Sequence, residues 1–172
     1  MFSASIVRSP VGELVLAEEN GELVVCCTKE FYPNAAKKAC LPALSSLLKN
    51  PKTAALRRLE VKLKRYFAGD LKALRDVARK KCGTAFQESV WRSLSKIEPG
   101  DVRSYGEIAK RLSKPGASRA VGTACGGNPF LLFVPCHRVI ASDGKLGGFS
   151  AGIERKIHLL SHEGIGRCEC CH

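Results

Sequence analysis

A pair of short helices in the second half of the chain constrains the fold more than any other feature. Ser104 and Glu107 match the capping-box pattern and predict the start of the first helix. A turn containing proline and glycine follows at residues 113–116, and a second helix runs from there until Gly126 and Gly127 end it. Two short helices joined across a glycine-containing turn predict a helix-turn-helix.

The second helix of this pair has unusual side chains. Arg119 is its one long polar side chain, and the other residues from 117 to 125 are mostly small. A helix that reads the major groove carries several Arg, Asn or Gln side chains for base edges. A helix of small residues instead lets its backbone approach a surface, either a neighbouring helix or the floor of a minor groove. In the second case, Arg119 is placed to enter the base stack.

The first half of the chain predicts strands. Apolar stretches lie at residues 5–7, 14–16 and 23–27. Asn20 and Gly21 tolerate positive φ and predict a two-residue hairpin turn between the last two stretches. This pattern predicts a small antiparallel sheet.

A helix is predicted after this sheet. Asn50 is suited to cap it and Pro51 to occupy its first position. Apolar residues spaced three or four apart then form a stripe, namely Leu56, Leu59, Leu63 and Phe67. The basic residues of this helix lie mostly off the stripe, and we interpret them as a solvated face, with a phosphate-facing surface as the alternative.

A polar and basic stretch at residues 70–83 marks the expected domain boundary, which gives domains at 1–80 and 81–172. The expected fold class is mixed α/β (α+β). Its N-terminal lobe holds the small antiparallel sheet with helices. Its C-terminal lobe is mostly helical, with the helix-turn-helix and a short sheet.

Charge and cysteine content narrow the function classes. The 28 Lys and Arg residues exceed the 16 Asp and Glu residues by 12, which indicates either a polyanionic partner such as nucleic acid or a solubilising basic surface. No apolar run approaches the ~20 residues that span a bilayer, and residues 1–8 lack a secretory signal. We therefore expect an intracellular protein without a membrane partner, nuclear in a eukaryote and otherwise cytoplasmic. Its nine cysteines are expected to be mostly reduced thiols.

A reactive constellation is predicted around Cys136, which follows Pro135 at the end of a short apolar run. His137 is adjacent in sequence, but neighbours in an extended chain point to opposite sides, so a water or a kink after Pro135 is needed to connect them. Glu163, near the end of the last predicted helix, is a candidate to orient the imidazole. The three side chains would form a Cys–His–carboxylate arrangement, with an inert buried cysteine as the alternative.

The sequence from Pro135 to Ile140 resembles the signature of the O6-alkylguanine-DNA alkyltransferases, also called methylated-DNA–protein-cysteine methyltransferases. The resemblance is continuous over about residues 84–164 and loose in the first lobe. It implies direct, stoichiometric transfer of the alkyl group from O6-alkylguanine, and from O4-alkylthymine, in double-stranded DNA to Cys136. The chain is expected to act once, as a monomer.

The resemblance also implies roles for individual residues. Arg119 replaces a flipped guanine in the stack, while Tyr105 rotates its phosphate and donates a proton to the departing base. The implied catalytic residues are Cys136, His137, Glu163, Tyr105 and Asn128. The implied pocket residues are Val139, Phe149 and Ser150, and the implied DNA contacts are Arg119, Tyr105, Lys114 and Ser142.

Some positions depart from the family pattern. Phe149 stands where many relatives have Tyr, which removes a hydroxyl near the pocket, and Gly106 and Gly126 stand where others have longer side chains. No cofactor is expected. Some relatives hold zinc in the first lobe with two Cys and two His, but all four histidines here lie at 137 or later, which argues against that site. The tail residues Cys168, Cys170, Cys171 and His172 are either soft-metal ligands or a reduced, frayed end.

Two rival functions remain at this level. A cysteine hydrolase or acyltransferase would use Cys136, His137 and Glu163, but it leaves Arg119 and the small-residue helix without a role. A non-catalytic DNA-damage-binding module would explain that helix, but it has no use for Cys136.

Overall fold

A computed structural model of the chain describes residues 1–166, in two compact units. The first unit contains Met1–Lys81 together with Pro129–Phe133. The second contains Cys82–Asn128 and the residues from Val134 onward. The division along the chain at 81/82 lies one residue from the predicted boundary.

The first unit is built on an antiparallel sheet in the order β1-β2-β3, with strands at Phe2–Ser9, Gly12–Glu19 and Glu22–Thr28. The turn between β2 and β3 places Asn20 at φ 53° and Gly21 at φ 88°. Both angles are positive, as the two-residue hairpin prediction requires. The predicted strands and hairpin are therefore confirmed.

Segment 129–133 pairs with β3, which corrects its predicted place in the second domain. The Cys26 amide donates to the Pro129 carbonyl over 2.8 Å, and the Leu131 amide donates to the Cys26 carbonyl, also over 2.8 Å. These bonds satisfy backbone groups at the free edge of β3. Sequence reasoning missed the pairing because the partners lie far apart along the chain.

Helices cover the apolar core of this sheet. After a 3₁₀ turn at Lys29–Phe31, they are α1 (Tyr32–Ala39), α2 (Leu44–Leu47) and α3 (Ala54–Phe67). Helix α1 packs on β3, and α3 packs on β1 and β2. The core that the sheet shares with α1 and α2 includes Val15, Val25, Tyr32 and Leu47.

Helix α3 begins later than predicted. Its N-cap is Thr53, whose hydroxyl accepts from the Leu56 amide over 3.1 Å. Asn50, three residues before this cap, instead donates its side-chain amide to the Phe2 carbonyl over 2.7 Å. The first three leucines of the predicted stripe are buried, but the fourth buried position is Tyr66 and not Phe67.

The second unit holds the remaining helices and a two-residue parallel pair of strands. The helices are α4 (Ala85–Leu94), α5 (Tyr105–Arg111), α6 (Ser118–Gly126) and α7 (Ile153–His162). The strands are β4 (Arg103–Ser104) and β5 (Val139–Ile140). The predicted mixed α/β fold class and the pair of short helices, α5 and α6, are confirmed.

Two local features position α5 and α6. Ser104 and Glu107 form both hydrogen bonds of the predicted capping box at the start of α5. Trp91 on α4 is 1% exposed, and its indole Nε1 donates to the Ala124 carbonyl on α6 over 2.9 Å. A buried donor satisfied in this way holds α4 and α6 in one register.

Candidate active site

Cys136 begins a 3₁₀ turn, Cys136–Arg138, directly before β5. Pro135 has φ −79° and ψ 66°, which supplies the kink considered from the sequence. The Asn128 side-chain amide donates to Cys136 Sγ over 3.2 Å and to the Val134 carbonyl over 2.9 Å. One buried amide therefore holds the thiol and the backbone that leads to it.

Cys136 opens into a cavity of about 590 Å³ within the second unit. The wall includes most of the predicted site residues, namely Tyr105, Arg119, Cys136, Ser142, Phe149 and Ser150. Gly106 and Gly126, the two positions with shorter side chains than in relatives, also line it. The cavity thus joins the predicted acceptor to the helix-turn-helix.

Two of the residues predicted to line the pocket or contact DNA lie elsewhere. The Val139 side chain is fully buried in β5 and does not line this cavity. Lys114 is exposed between α5 and α6, where its Nζ lies 5.9 Å from the centre of the Phe86 ring. Both residues belong to the second unit, but neither side chain borders the acceptor cavity.

His137, Glu163 and Arg138 form a buried polar cluster behind the thiol. His137 Nε2 lies 3.0 Å from Glu163 Oε1. Arg138 donates from Nε and Nη2 to the two oxygens of the same carboxylate, over 2.8 and 2.7 Å. Its third nitrogen, Nη1, donates to the Ile97 carbonyl over 2.5 Å. The fold therefore unites His137 with the carboxylate that the sequence offered as its partner.

The charges of this cluster determine which imidazole nitrogen carries the proton. Burial raises the pKa of Glu163, but hydrogen bonds from His137 and Arg138 outweigh it and bring the pKa to about 2. An ionised carboxylate only accepts hydrogen bonds, so His137 Nε2 carries the hydrogen. Burial also lowers the pKa of His137, against the influence of Glu163, and keeps the imidazole neutral near pH 7. Its Nδ1 atom, buried without a hydrogen-bond partner in residues 1–166, is left as a proton acceptor.

The Cys136 thiol is protonated at neutral pH. Burial raises the pKa of Cys136, while the Asn128 hydrogen bond and the charge of Lys156 act in the opposite direction. Attack on carbon requires the thiolate, so the site needs a proton acceptor at the moment of reaction. The neutral His137 has the protonation state for this role.

Lys156 is the site residue that sequence reasoning missed. It is fully buried on α7, and its Nζ donates to the Val139 carbonyl over 2.6 Å and to the Leu146 carbonyl. Burial lowers the pKa of Lys156 to about 8, although the nearby Cys136 and Cys125 thiols act to raise it. The sequence did contain a signal for its burial. Leu159 and Leu160 follow Lys156 by three and four residues, which places the lysine on the apolar face of the helix.

Tyr105 reaches the cavity between two glycines. A Cβ on Gly122 would lie 3.8 Å from the tyrosine ring, and a Cβ on Gly147 would lie 3.1 Å from its hydroxyl oxygen. Burial raises the pKa of Tyr105, helped by Cys125 and Cys136, so its hydroxyl keeps its proton at neutral pH. The cavity wall therefore includes a protonated phenol, a possible proton donor, as well as the Cys136 thiol.

Two features discussed from the sequence are absent from residues 1–166. None of the helices there combines the length and the apolar character that crossing a membrane requires. No group of three or more His, Cys, Asp or Glu side chains in that range is arranged to hold a metal ion. The tail at Cys168–His172 lies outside the described residues.

The sequence is similar to those of known proteins. Residues 85–165 match the family described as 6-O-methylguanine DNA methyltransferase, DNA binding domain. A methylated-DNA–protein-cysteine methyltransferase from Methanosarcina acetivorans is 43% identical over 161 residues, covering 93% of this chain and 97% of the relative. The chain belongs to this family. A relative of the same name from Mycolicibacterium paratuberculosis is 40% identical over 95% of the chain and 93% of its own length.

Solved structures of the methyltransferase family agree with the fold. The crystal structure of the Mycobacterium tuberculosis O6-methylguanine methyltransferase superposes with a TM-score of 0.79 at 39% identity, covering 99% of this chain and 96% of that one. The M. tuberculosis protein in complex with DNA superposes with a TM-score of 0.77 at 39% identity, over 94% and 91% of the two chains. The family likeness therefore includes the first unit, which resembled the family only loosely by sequence motifs.

Proposed function

We propose that this methyltransferase repairs double-stranded DNA by moving the alkyl group of O6-alkylguanine onto Cys136, once per molecule. The observation that carries the proposal is a buried thiol that lines a cavity together with α6, a helix of small residues from which Arg119 is exposed. A neutral imidazole held by a buried carboxylate lies next to the thiol in sequence. O4-alkylthymine carries its alkyl group on an exocyclic oxygen of the base in the same way, and we include it in the proposal.

The first step is removal of the thiol proton. We assign His137 Nδ1 as the acceptor, reached through one water molecule, because this nitrogen is buried without a partner in residues 1–166. Glu163 favours the imidazolium that forms, and Arg138 keeps Glu163 ionised. The Asn128 amide and the Lys156 ammonium stabilise the thiolate, since both favour the charged form of Cys136.

The second step is an in-line displacement at the alkyl carbon. A bond forms between Cys136 Sγ and that carbon, and the bond from the carbon to guanine O6 breaks. The electron pair stays on the guanine, which takes a proton from the Tyr105 hydroxyl. The proton held by His137 restores Tyr105, so the net change moves one alkyl group to sulfur and one proton to the base.

The product explains why the reaction occurs once. A thioether has no carbonyl for water to attack, unlike the thioester of a cysteine hydrolase. Cys136, His137 and Tyr105 are sufficient to move the alkyl group and the proton, so we propose that no cofactor takes part. They also come from one chain, so we propose that a monomer is sufficient.

The cavity requires the damaged base to leave the helix stack. Flipping costs a few kcal/mol, which an inserted side chain partly offsets. Arg119 is exposed at the cavity wall on α6, where small residues allow the helix backbone to approach a minor groove. We assign Arg119 to the vacated position in the stack, Tyr105 to the rotated phosphate, and Lys114 and Ser142 to the DNA backbone.

The test is titration with duplex DNA that carries a labelled O6-methylguanine. One equivalent of label is expected on the protein, with mass spectrometry placing it on Cys136. Cys136→Ala is expected to abolish the transfer, while Cys27→Ala in the first unit is the matched control and retains it. Tight binding of this DNA without transfer of the label would contradict the proposal and favour a DNA-damage-binding module. Repeated turnover on an ester substrate would favour a cysteine hydrolase.

The flipping role of Arg119 has its own test. Arg119→Ala is expected to slow repair of duplex DNA by roughly tenfold or more, since it removes the side chain that offsets the flipping cost. Reaction with the free base O6-methylguanine, which needs no flipping, is expected to change little. Equal losses on the two substrates would count against this role.

A further inference from the structure

The cavity contains a second thiol, Cys125, to which the proposed reaction assigns no role. We propose that Cys125 limits the size of the alkyl group that the site accepts. This inference rests on the proposed function and identifies the part of the site that discriminates among its substrates.

Cys125 lies in the last turn of α6 and lines the same cavity as Cys136. A short series of contacts joins the two. The Asn128 backbone amide donates to the Cys125 carbonyl over 3.2 Å, and the side-chain amide of Asn128 donates to Cys136 Sγ over 3.2 Å. Cys136 is also near enough to act on Cys125, whose pKa it helps to raise. Cys125 is therefore part of the wall beside the reacting sulfur.

The reaction geometry makes this wall important for the alkyl group. At the start of the displacement the alkyl carbon must lie roughly 3 to 3.5 Å from Cys136 Sγ. In an alkyl group larger than methyl, the further carbon atoms must occupy the space next to Cys136 Sγ. Side chains that border Cys136 on the cavity side therefore meet the alkyl group, and Cys125 is one of them.

Cys125 acts in this position as a small wall and not as a second nucleophile. Burial, with Cys136 nearby, raises its pKa to about 12, so the thiol stays protonated at neutral pH. A protonated, buried cysteine behaves as a small apolar side chain. Its length is then the property that matters, because a longer side chain at 125 would extend into the cavity.

Other small residues of α6 do not have this relation to the acceptor. Gly122 borders the Tyr105 ring, and Gly126 is exposed at the cavity. Thr123 is exposed, does not line the cavity, and donates its hydroxyl to the Arg119 carbonyl over 3.1 Å. Thr123 therefore offers a matched control on the same helix.

The experiment measures second-order transfer rates with three free bases, O6-methylguanine, O6-ethylguanine and O6-butylguanine. Free bases remove any effect of the variants on DNA binding. The wild type is compared with Cys125→Ala, Cys125→Met and the control Thr123→Met. Alanine and methionine are both good helix formers, so α6 is expected to stay intact, and thermal unfolding of each variant verifies it.

Cys125→Met is expected to lower the butyl rate relative to the methyl rate by about tenfold or more, the size of effect that one methylene has in a filled pocket. Cys125→Ala is expected to raise that ratio, and Thr123→Met to leave it unchanged. Equal changes in all three rates for the Cys125 variants would overturn the inference, because Cys125 would then meet the guanine or only support the fold. An unchanged ratio in both Cys125 variants would overturn it as well. No transfer from any base to the wild type would instead be a failure of the proposed function.

Discussion

The two units of this protein bury different kinds of side chain. The first unit buries Glu18 as its one charged residue within the described chain, beside Ser3, Ser5 and Thr28. The second buries Asn128, His137, Arg138, Lys156 and Glu163, and each of these lies beside Cys136 or in the cluster behind it. The first core resembles that of an ordinary folded domain, while the second core contains a group of hydrogen-bonded titratable side chains near a thiol.

A pair of cysteines shows the same difference between the two units. Cys27 in the first unit and Cys136 in the second are both 4% exposed. Burial and the charge of Glu30 both raise the pKa of Cys27, which reaches about 12. Burial also raises the pKa of Cys136, but Asn128 and Lys156 oppose it. At equal exposure, the surroundings therefore disfavour the Cys27 thiolate, whereas Asn128 and Lys156 favour the Cys136 thiolate.

The largest expected effect is the difference in unfolding free energy between breaking a buried ion pair in the second unit and breaking an exposed ion pair in the first. Removing one partner of a buried ion pair leaves an unpaired charge, so Glu163→Ala is expected to lower the free energy of unfolding by about 3–5 kcal/mol. Glu13→Ala, which breaks the exposed pair with Lys29, is expected to cost about 0–1 kcal/mol. Urea unfolding of both variants measures the two values. Similar losses would mean that the buried cluster is not the special feature of the second unit.

The same cluster predicts a pH window. The pKa of Glu163 is lowered from 4.5 to about 2 in the folded protein, so its contribution to stability is complete above about pH 4.5 and is lost as the pH falls toward 2. The difference in unfolding free energy between the wild type and Glu163→Gln is therefore expected to shrink across that range. Unfolding measured at several pH values between 5 and 2.5 shows whether it does. A constant difference would contradict the lowered pKa.

Thiol labelling tests the electrostatic difference between Cys136 and Cys27. Iodoacetamide is expected to alkylate Cys136 faster than Cys27, because Asn128 and Lys156 favour the thiolate of Cys136, whereas Glu30 disfavours that of Cys27. Lys156→Met is expected to slow labelling of Cys136 and leave Cys27 unchanged, with Lys145→Met as the exposed control. Quantitative mass spectrometry of the labelled peptides gives the rates. If Lys156→Met leaves the Cys136 rate unchanged, access through the cavity alone explains its reactivity.

The smallest predicted effect concerns the position of Tyr105. Gly147 has φ 66°, and a Cβ there would approach the tyrosine hydroxyl to 3.1 Å. Gly144 has φ 83° and open space around it, so Gly144→Ala carries the backbone strain without the contact. Gly147→Ala is expected to slow alkyl transfer to a greater degree than Gly144→Ala, by roughly tenfold or less. Equal rates in the two variants would show that Tyr105 tolerates the displacement.

The sequence predicted correctly those structural features that depend on residues close together in the chain. The Asn20-Gly21 turn and the capping box at Ser104 and Glu107 depend on residues within a few positions of each other. The start of α3 shows the limit of such signals. Asn50 and Thr53 both belong to residue types that favour N-caps, but Thr53 caps α3 and Asn50 bonds to the distant Phe2 carbonyl.

The sequence by itself determined which residue is the candidate acceptor and which pair of helices accompanies it. The motif around Cys136 and the small-residue helix with Arg119 are both continuous in the chain. The tertiary structure decided what surrounds the acceptor. It brings Glu163 to His137 across 26 residues, buries Lys156 where its charge favours the Cys136 thiolate, and places Cys125 on the same cavity wall. Burial and the distance between charges are set by long-range packing, and these two quantities control the pKa of a thiol or an imidazole.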